Sequence, residues 1–297
     1  MTTQEIAVVG ATGFVGGGLA RGLQAAGHAV SGLARSDDAA LVLRRRGITP
    51  VPGDVVAGLD EAATSLSRFD TVVLAASLDT DDEHRAATAL IGTGARVVFL
   101  SGSGVMLERT AGGAGAGPWA EDDAFPVEPL AARRVETEAL VRGAGGLVLR
   151  PPLIWGPGDH GHVAMTYASV AATGAAAFVG EGASAYTNVH VDDVARLLAL
   201  AVDRAPAGAL YHAAGGELTN RAIAAAVAAD LGAPARSVTP EEAADVWGEF
   251  GALVMGSSSR ITAPRARDEL GWRPEHPDML AEVGEDRLRA LATAVAR

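Results

Sequence analysis

The groups that can move protons in this chain form a short inventory. It has no cysteine and no lysine, and all 24 basic side chains are arginine. Thiolate nucleophiles, disulfides, cysteine metal sites and Schiff-base lysines are therefore excluded. So is any phenol whose acidity is tuned by a lysine four residues on. Three tyrosines and seven histidines remain beside the carboxyl groups. The densest group is "WGPGDHGHV" (155–163), with Asp159, His160 and His162. Histidine titrates near neutrality and serves as general acid or base, which makes His160 the first candidate. Asp159 or His160 serves equally well as the cap of a following helix. His160-x-His162 has a metal-pair spacing, but no third ligand stands at a recognisable distance along the chain, and no metal is expected. In "SAYTNVHVDDVA" (184–195), an extended run at 186–189 would let Tyr186 project into a pocket; ordinary packing is the other reading. His190 and Asp193 read as a buried hydrogen bond and a helix-start carboxylate. Tyr211 and His212 read as residues of a core-facing strand.

A second set of residues speaks for a phosphate-bearing cofactor. "VVGATGFVGGGLARGL" (8–23) gives Gly10-x-x-Gly13-x-x-Gly16 directly after an apolar run and at the opening of a helical pattern. The first glycine permits a tight turn, the second lets the backbone approach a pyrophosphate, and the third permits close helix–strand packing. The helix start supplies unpaired N–H groups and a positive dipole. Thr12, Phe14 and Val15 complete the cofactor turn. An NAD site usually ends its second strand with an acid for the ribose hydroxyls. Here "GLARSDD" (32–38) places Ala34 there, followed by Arg35 and Ser36. The planar fork of Arg35 suits a 2′-phosphate and Ser36 can add a hydrogen bond, so NADP(H) is the expected cofactor. Asp54 and Val55 in "PGDV" are placed at the adenine. Ala75, Ala76 and Ser77 in "LAAS" are small enough to pass beneath the adenosine.

These residues need a scaffold that the apolar runs supply. Strands are read at 5–10, 28–34, 47–53, 70–76, 95–101 and 146–150, with helices near 13–26, 37–46, 58–67, 82–93 and 131–143. Such alternation predicts an α/β fold: a doubly wound parallel (Rossmann) sheet, with ligands at the carboxyl ends of its strands. The expected division is a cofactor domain over 1–150, to which 188–205 returns, and a smaller substrate-binding region over 151–187 and 206–297. The Gly-rich "TAGGAGAGP" (110–118) reads as an active-site flap or a tolerated surface insertion. With 48% apolar residues a large core is expected. A net charge of −12 argues against nucleic acid or an anionic membrane as partner. No leader-like pattern and no run of 18 apolar residues is present, so a cytoplasmic location is expected.

Together, "GATGFVG", "PGDV", "LRPPLIWGPGDH", "NVHVDDVARLLALAV" and "DELGWRP" resemble the NAD-dependent epimerase/dehydratase family, the extended short-chain dehydrogenases/reductases. "GPGDHGHV", "APAGALYHAA" and "SSSRITAPRARDELGW" are similar to its atypical NADP-binding members, which often lack the usual catalytic tetrad. The resemblance implies a tyrosine and a lysine in "EPLAARRVETEAL" (128–140). Counted back from Glu138, those positions hold Leu130 and Arg134. Leucine transfers no proton. Arg134 can still reach ribose hydroxyls, but its pKa is too high for proton exchange. The family's serine falls at Gly102, with Ser103 one residue away, and its asparagine at Asp79. The resemblance further implies Pro151 and Leu153 beside a nicotinamide, a pocket beyond the sixth strand, and a homodimer. The search for an acid thus moves to Asp79, Ser103, His160 and Tyr186. The leading expectation is an NADPH-dependent reductase of a small carbonyl or imine. A non-redox epimerase, isomerase, dehydratase or cyclase, and an inactive NADP(H)-responsive binding protein, are the alternatives.

Overall fold

The computed structural model describes residues 2–158 and 161–293. The six apolar runs become strands, with helices in the intervals: β1 (Glu5–Val9), α1 (Phe14–Ala25), β2 (Ala29–Ala34), α2 (Asp37–Arg45), β3 (Thr49–Pro52), α3 (Leu59–Leu66), β4 (Thr71–Leu74), α4 (Thr80–Gly92), β5 (Arg96–Leu100), α5 (Ala132–Gly143) and β6 (Leu147–Arg150). Then follow β7 (Leu153–Trp155), α6 (His162–Thr173), β8 (Ala176–Val179), β9 (Ala185–His190), α7 (Val191–Arg204), β10 (Leu210–His212), β11 (Gly216–Thr219), α8 (Asn220–Leu231), β12 (Ala235–Val238), α9 (Pro240–Met255), α10 (Pro264–Leu270) and α11 (Asp286–Leu291).

Seven strands form one sheet in the order β10-β6-β5-β4-β1-β2-β3, all paired in parallel. Strand β1 shows why both faces must be covered. Ile6 and Val8 enter the apolar cluster shared with α1 and α7, while Ala7 and Val9 enter the opposite cluster with Leu66, Leu90 and Val141. β3 carries Pro50 and Pro52, which cannot donate to a ladder, and it takes the sheet edge. The strand order reverses between β1 and β4, which opens a crevice at their carboxyl ends. Helix α7 lies close against α1. A Cβ on Gly18 would stand 2.5 Å from Val191 Cγ2, and one on Gly22 2.5 Å from Ala195 Cβ.

The boundary drawn from sequence needs one change. β10 pairs with β6 and extends the large sheet, whereas the sequence pattern places everything from residue 206 onward in the second region. A three-residue strand carries no periodic signal; its pairing is a tertiary fact. The second region is built on β11-β9-β7 and β12-β8, around a core of Trp155, Tyr167, Phe178, Ile223 and Val227. No described helix is long and apolar enough to cross a membrane.

The Gly-rich segment 110–118 is neither a free flap nor a loose insertion. Glu108 accepts the backbone N–H groups of Ala116 (2.7 Å) and Gly117 (3.1 Å), and Gly112 N–H donates to Gly256 O at 3.0 Å. A Cβ on Gly112 would fall 2.6 Å from the carbonyl carbon of Val179, and one on Gly115 2.7 Å from Ser258 Cβ. The glycines there serve close approach. Residues 257–261 run alongside as a strap, bridging Glu108, Tyr186 and Trp119.

Candidate functional site

A groove of about 590 Å³ opens where β1 and β4 end. Its lining includes Gly10, Thr12, Gly13, Phe14, Val15 and Gly16 from the turn into α1. Arg35 from the end of β2, Asp54 and Val55 from the end of β3, and Ala75, Ala76 and Ser77 from the end of β4 complete these walls. The backbone explains the glycines. Gly10 has φ +95°, and a Cβ on it would lie 2.6 Å from Ala75 O. A Cβ on Gly16 would lie 2.6 Å from the carbonyl carbon of Gly10 and closer still to its oxygen. Gly13 is different: its nearest neighbour would be Gly10 O at 3.4 Å, so its bareness faces the groove. No side chain caps α1 at Gly13, and its first turn holds no carboxylate. That leaves a positive helix end open to an anion, and a dinucleotide pyrophosphate fits the turn.

At the other end of the groove, Arg35 is exposed and makes no hydrogen bond or ion pair among the described residues. Its neighbour Asp54 accepts the N–H groups of Val56 (2.8 Å) and Ala57 (3.2 Å). These backbone bonds, with the Arg35 charge adding to them, hold the Asp54 carboxyl below its usual range. Ser36 lies outside the lining and caps α2, accepting Ala39 N–H at 3.2 Å. One residue had no signal in the sequence. Arg46, at the end of α2, donates to the carbonyls of Ala11 (2.9 Å) and Gly13 (3.2 Å) and braces the turn from behind.

The sequence-derived acids are placed less favourably. Asp79 is exposed and caps α4, accepting Asp82 N–H at 2.8 Å, so it is not the buried acid considered for it. Ser103 is buried, and its hydroxyl lies 2.7 Å from that of Ser259. Tyr186 is buried as well, and its phenol donates to Val254 O at 3.0 Å. Burial pushes that phenol's pKa up, away from the range of a general acid. Arg134 does not face the groove: its fork grips Glu83 at 2.9 and 2.6 Å, and bidentate pairing with a buried carboxylate outcompetes a contact with an exposed ribose. Leu130 is exposed in the turn Pro129–Ala131. Pro151 and Leu153 lie outside the groove lining, with Pro151 O accepting Ser103 N–H at 2.9 Å. His160 and its neighbour Asp159 lie outside the described residues.

What the structure does bring together is Ser103, Ser259 and Tyr186, at the junction of β5 with the second region. On the far side of Tyr186 stands His162, ring centroids 4.2 Å apart. Both His162 nitrogens are buried without a partner among the described residues, and burial lowers its pKa to about 4. Asn188 is equally buried, with neither amide atom partnered among the described residues. Deeper in the fold, Glu138 holds Arg150 and Ser101. Near the loop 156–158, Arg287 grips Glu282 and the carbonyls of Gly156 and Gly158, while burial pushes Glu282 up to about 7. No group of three or more potential ligands stands ready for a metal among the described residues.

The state of His162 has a measurable consequence. Its folded pKa lies below its unfolded value of 6.5, so its contribution is complete above pH 6.5 and is lost as pH falls through about 4. Over that window wild type should lose about 3 kcal/mol relative to His162→Phe, at about 1.4 kcal/mol for each pH unit separating the two values. Glu282 acts in the opposite sense between about pH 4.5 and 7, but equally in both proteins. Urea unfolding at the two ends of the window checks this; a constant difference between the proteins would refute it.

A profile of the NAD dependent epimerase/dehydratase family matches residues 6–214, which span the whole groove and β9. The chain belongs to this family. Among the family's similar proteins, an uncharacterized protein of Schizosaccharomyces pombe is 30% identical over 95% of this chain and 99% of its own length. A 2-alkyl-3-oxoalkanoate reductase of Stenotrophomonas maltophilia is 32% identical, covering 77% of this chain and 76% of that enzyme. Among solved structures, a dTDP-glucose 4,6-dehydratase from Bacillus anthracis in complex with NAD superposes with a TM-score of 0.75. It is 16% identical, covering 97% of this chain and all of that one, a likeness of fold. The chain is thus similar in sequence to a reductase and in fold to a dehydratase.

Proposed function

We propose that this protein is an NADPH-dependent reductase of a small carbonyl or imine compound. The observation that carries the reading is Arg35: a cation with no hydrogen bond or ion pair among the described residues, at the groove end where an NAD site holds an acid. The similarity to a 3-oxoalkanoate reductase supports the direction of the chemistry. When bound, NADPH supplies hydride to the substrate carbon. The open start of α1 would receive the pyrophosphate, Arg46 holds the turn's carbonyls from behind, and Arg35 would grip the 2′-phosphate, with the Ser36 hydroxyl turning from the cap of α2 to add a hydrogen bond. Ser103 and Tyr186 have hydroxyls already committed to Ser259 and Val254, so His160 stays the proton donor of this reading. Its imidazolium would give a proton to the substrate oxygen and regain one from water. An iminium substrate would accept hydride without that proton.

The test separates the two cofactors. Arg35→Ala should raise the Kd for NADPH about 10- to 100-fold, the worth of charge-assisted hydrogen bonds to a phosphate. The Kd for NADH should stay within about twofold. Titration of both cofactors by fluorescence reads this directly. Equal weakening of both would defeat the 2′-phosphate assignment, and NADPH that is never consumed with any carbonyl or imine would defeat the reductase.

A further inference from the structure

Two buried side chains on the second region have four polar atoms and no partner for any of them among the described residues: His162 through Nδ1 and Nε2, and Asn188 through Oδ1 and Nδ2. Both residues are 1% exposed. Buried polar groups are nearly always hydrogen-bonded, so a cluster of unmet groups marks a place for a ligand or ordered water. Both stand in the neighbourhood of Tyr186 and Leu153. Tyr186 and Asn188 alternate onto the same face of β9, and the His162 ring packs on Tyr186. Asn188 pairs with Leu153 of β7, and a Cβ on Gly161, next to His162, would touch Leu153 Cδ1 at 3.4 Å. The cluster lies behind Tyr186, which bridges to Ser259 and so to Ser103 at the carboxyl edge of the sheet.

The charges around this junction point the same way. Arg109 pairs with Glu128, Arg134 with Glu83, Arg150 with Glu138, Arg260 with Glu217 and Arg287 with Glu282. Arg44 and Arg45 close α2, Arg204 closes α7 and Arg68 follows α3, at helix ends that return to the opposite edge of the sheet. Arg35, which makes no hydrogen bond or ion pair among the described residues, stands beside Asp54 at the adenosine end of the groove. Among the described residues, Arg109, Arg150 and Arg260, whose contacts reach this junction, each already hold a carboxylate, and Arg221 is held by Glu181 O and the Phe178 ring. The segment carrying Leu130 is apolar on its exposed side, with Val127 and Leu130 both exposed, and Glu128 N–H ties it to Val105 O at 3.1 Å.

We infer that His162 and Asn188 form the hydrogen-bonding subsite for the substrate, that this subsite takes an uncharged oxygen-bearing group, and that the junction rejects nucleoside diphosphates. This deepens the reductase reading and rests on it for the reaction. A neutral imidazole offers one N–H and one acceptor nitrogen, and the amide two N–H groups and an acceptor oxygen, which complements a carbonyl, ester or hydroxyl oxygen. A carboxylate or phosphate there would be desolvated with no cation to offset the loss. The substrate class is therefore a neutral ketone or oxo-ester with an apolar body.

The full chain with bound NADPH tests this with three probes: ethyl 3-oxobutanoate, 3-oxobutanoate and UDP-glucose. The neutral ester should be reduced with a kcat/KM at least about tenfold above that of the anion, and UDP-glucose should not bind below about 1 mM. Asn188→Leu and His162→Phe, which keep the packing volume, should each raise the KM for the ester about tenfold or more, with kcat within about threefold and NADPH affinity unchanged. Micromolar binding of UDP-glucose, or KM values within twofold of wild type in both variants, overturns the subsite. If wild type reduces none of the ketones, the reductase reading fails by itself. The subsite is then decided by thermal shift: stabilisation by the ester and not by UDP-glucose, lost in Asn188→Leu, upholds it, and any other pattern overturns it.

Discussion

Gly16→Ala should raise the Kd for NADPH and NADH alike, by about 100-fold, or about 2.7 kcal/mol. The new Cβ would sit 2.6 Å from the carbonyl carbon of Gly10 and closer to its oxygen, and both atoms are backbone. Neither can rotate away, so the start of α1 must lift from the end of β1. That displaces the N–H groups that meet the pyrophosphate, which both cofactors share. Gly92→Ala, at the end of α4, is the control. Nothing lies within 4 Å of the Cβ it would gain, and both Kd values should stay within about twofold. Equilibrium dialysis with each cofactor, beside a far-ultraviolet spectrum to confirm the fold, checks the pair. A Gly16→Ala protein that binds within threefold of wild type would sink the assignment of the turn.

That turn was legible because its determinants are local. Gly10, Gly13 and Gly16 lie within one strand–turn–helix, and the apolar periodicity on either side places them before any tertiary contact is known. The six strands and five helices of the first half were legible for the same reason. Arg46 was not, because its carbonyl partners lie 35 and 33 residues away, and nothing in "LRRRG" sets it apart from Arg44 or Arg45. The residues placed position by position have partners that the sequence does not show. Resemblance transfers a place on a helix but not the partner found there. Arg134 stands on α5 as expected, yet Glu83, 51 residues earlier, takes its fork. Ser103 sits beyond β5, yet its hydroxyl meets Ser259, 156 residues later. Asp79 precedes four residues that read equally as a solvated helix start, and that local role prevailed. Asn188 carried a usable signal: it is a polar residue in phase with Tyr186, inside a strand whose positions 185–189 are otherwise apolar, aromatic or β-branched. Phase shows which face a residue takes, and only the packing of α6 shows that this face is buried.

Glu138 is the residue from which the missing tyrosine and lysine positions are counted, and its removal should be among the most damaging changes in the chain. Glu138→Ala is expected to cost about 3–5 kcal/mol, the usual loss when one member of a buried ion pair is deleted. The side chain is 1% exposed and accepts from Arg150, itself 5% exposed, and from Ser101. It thereby ties α5 to the ends of β5 and β6, where Ser103 and Pro151 begin the junction. Without it the Arg150 guanidinium stays buried over the Phe125 ring with no anion. Arg150→Met alone should also destabilise, because it strands the carboxylate. The double variant Glu138→Leu/Arg150→Met should recover most of the loss, since replacing both charges by apolar groups of similar volume removes the desolvation penalty together with the attraction. Urea midpoints of the four proteins close the cycle. Additive losses in the double variant would show that the two charges act separately. Recovery of stability without recovery of NADPH turnover would show that the pair matters to catalysis through the position of α5, because the apolar side chains of the double variant have no acceptor to hold the Ser101 hydroxyl against the helix.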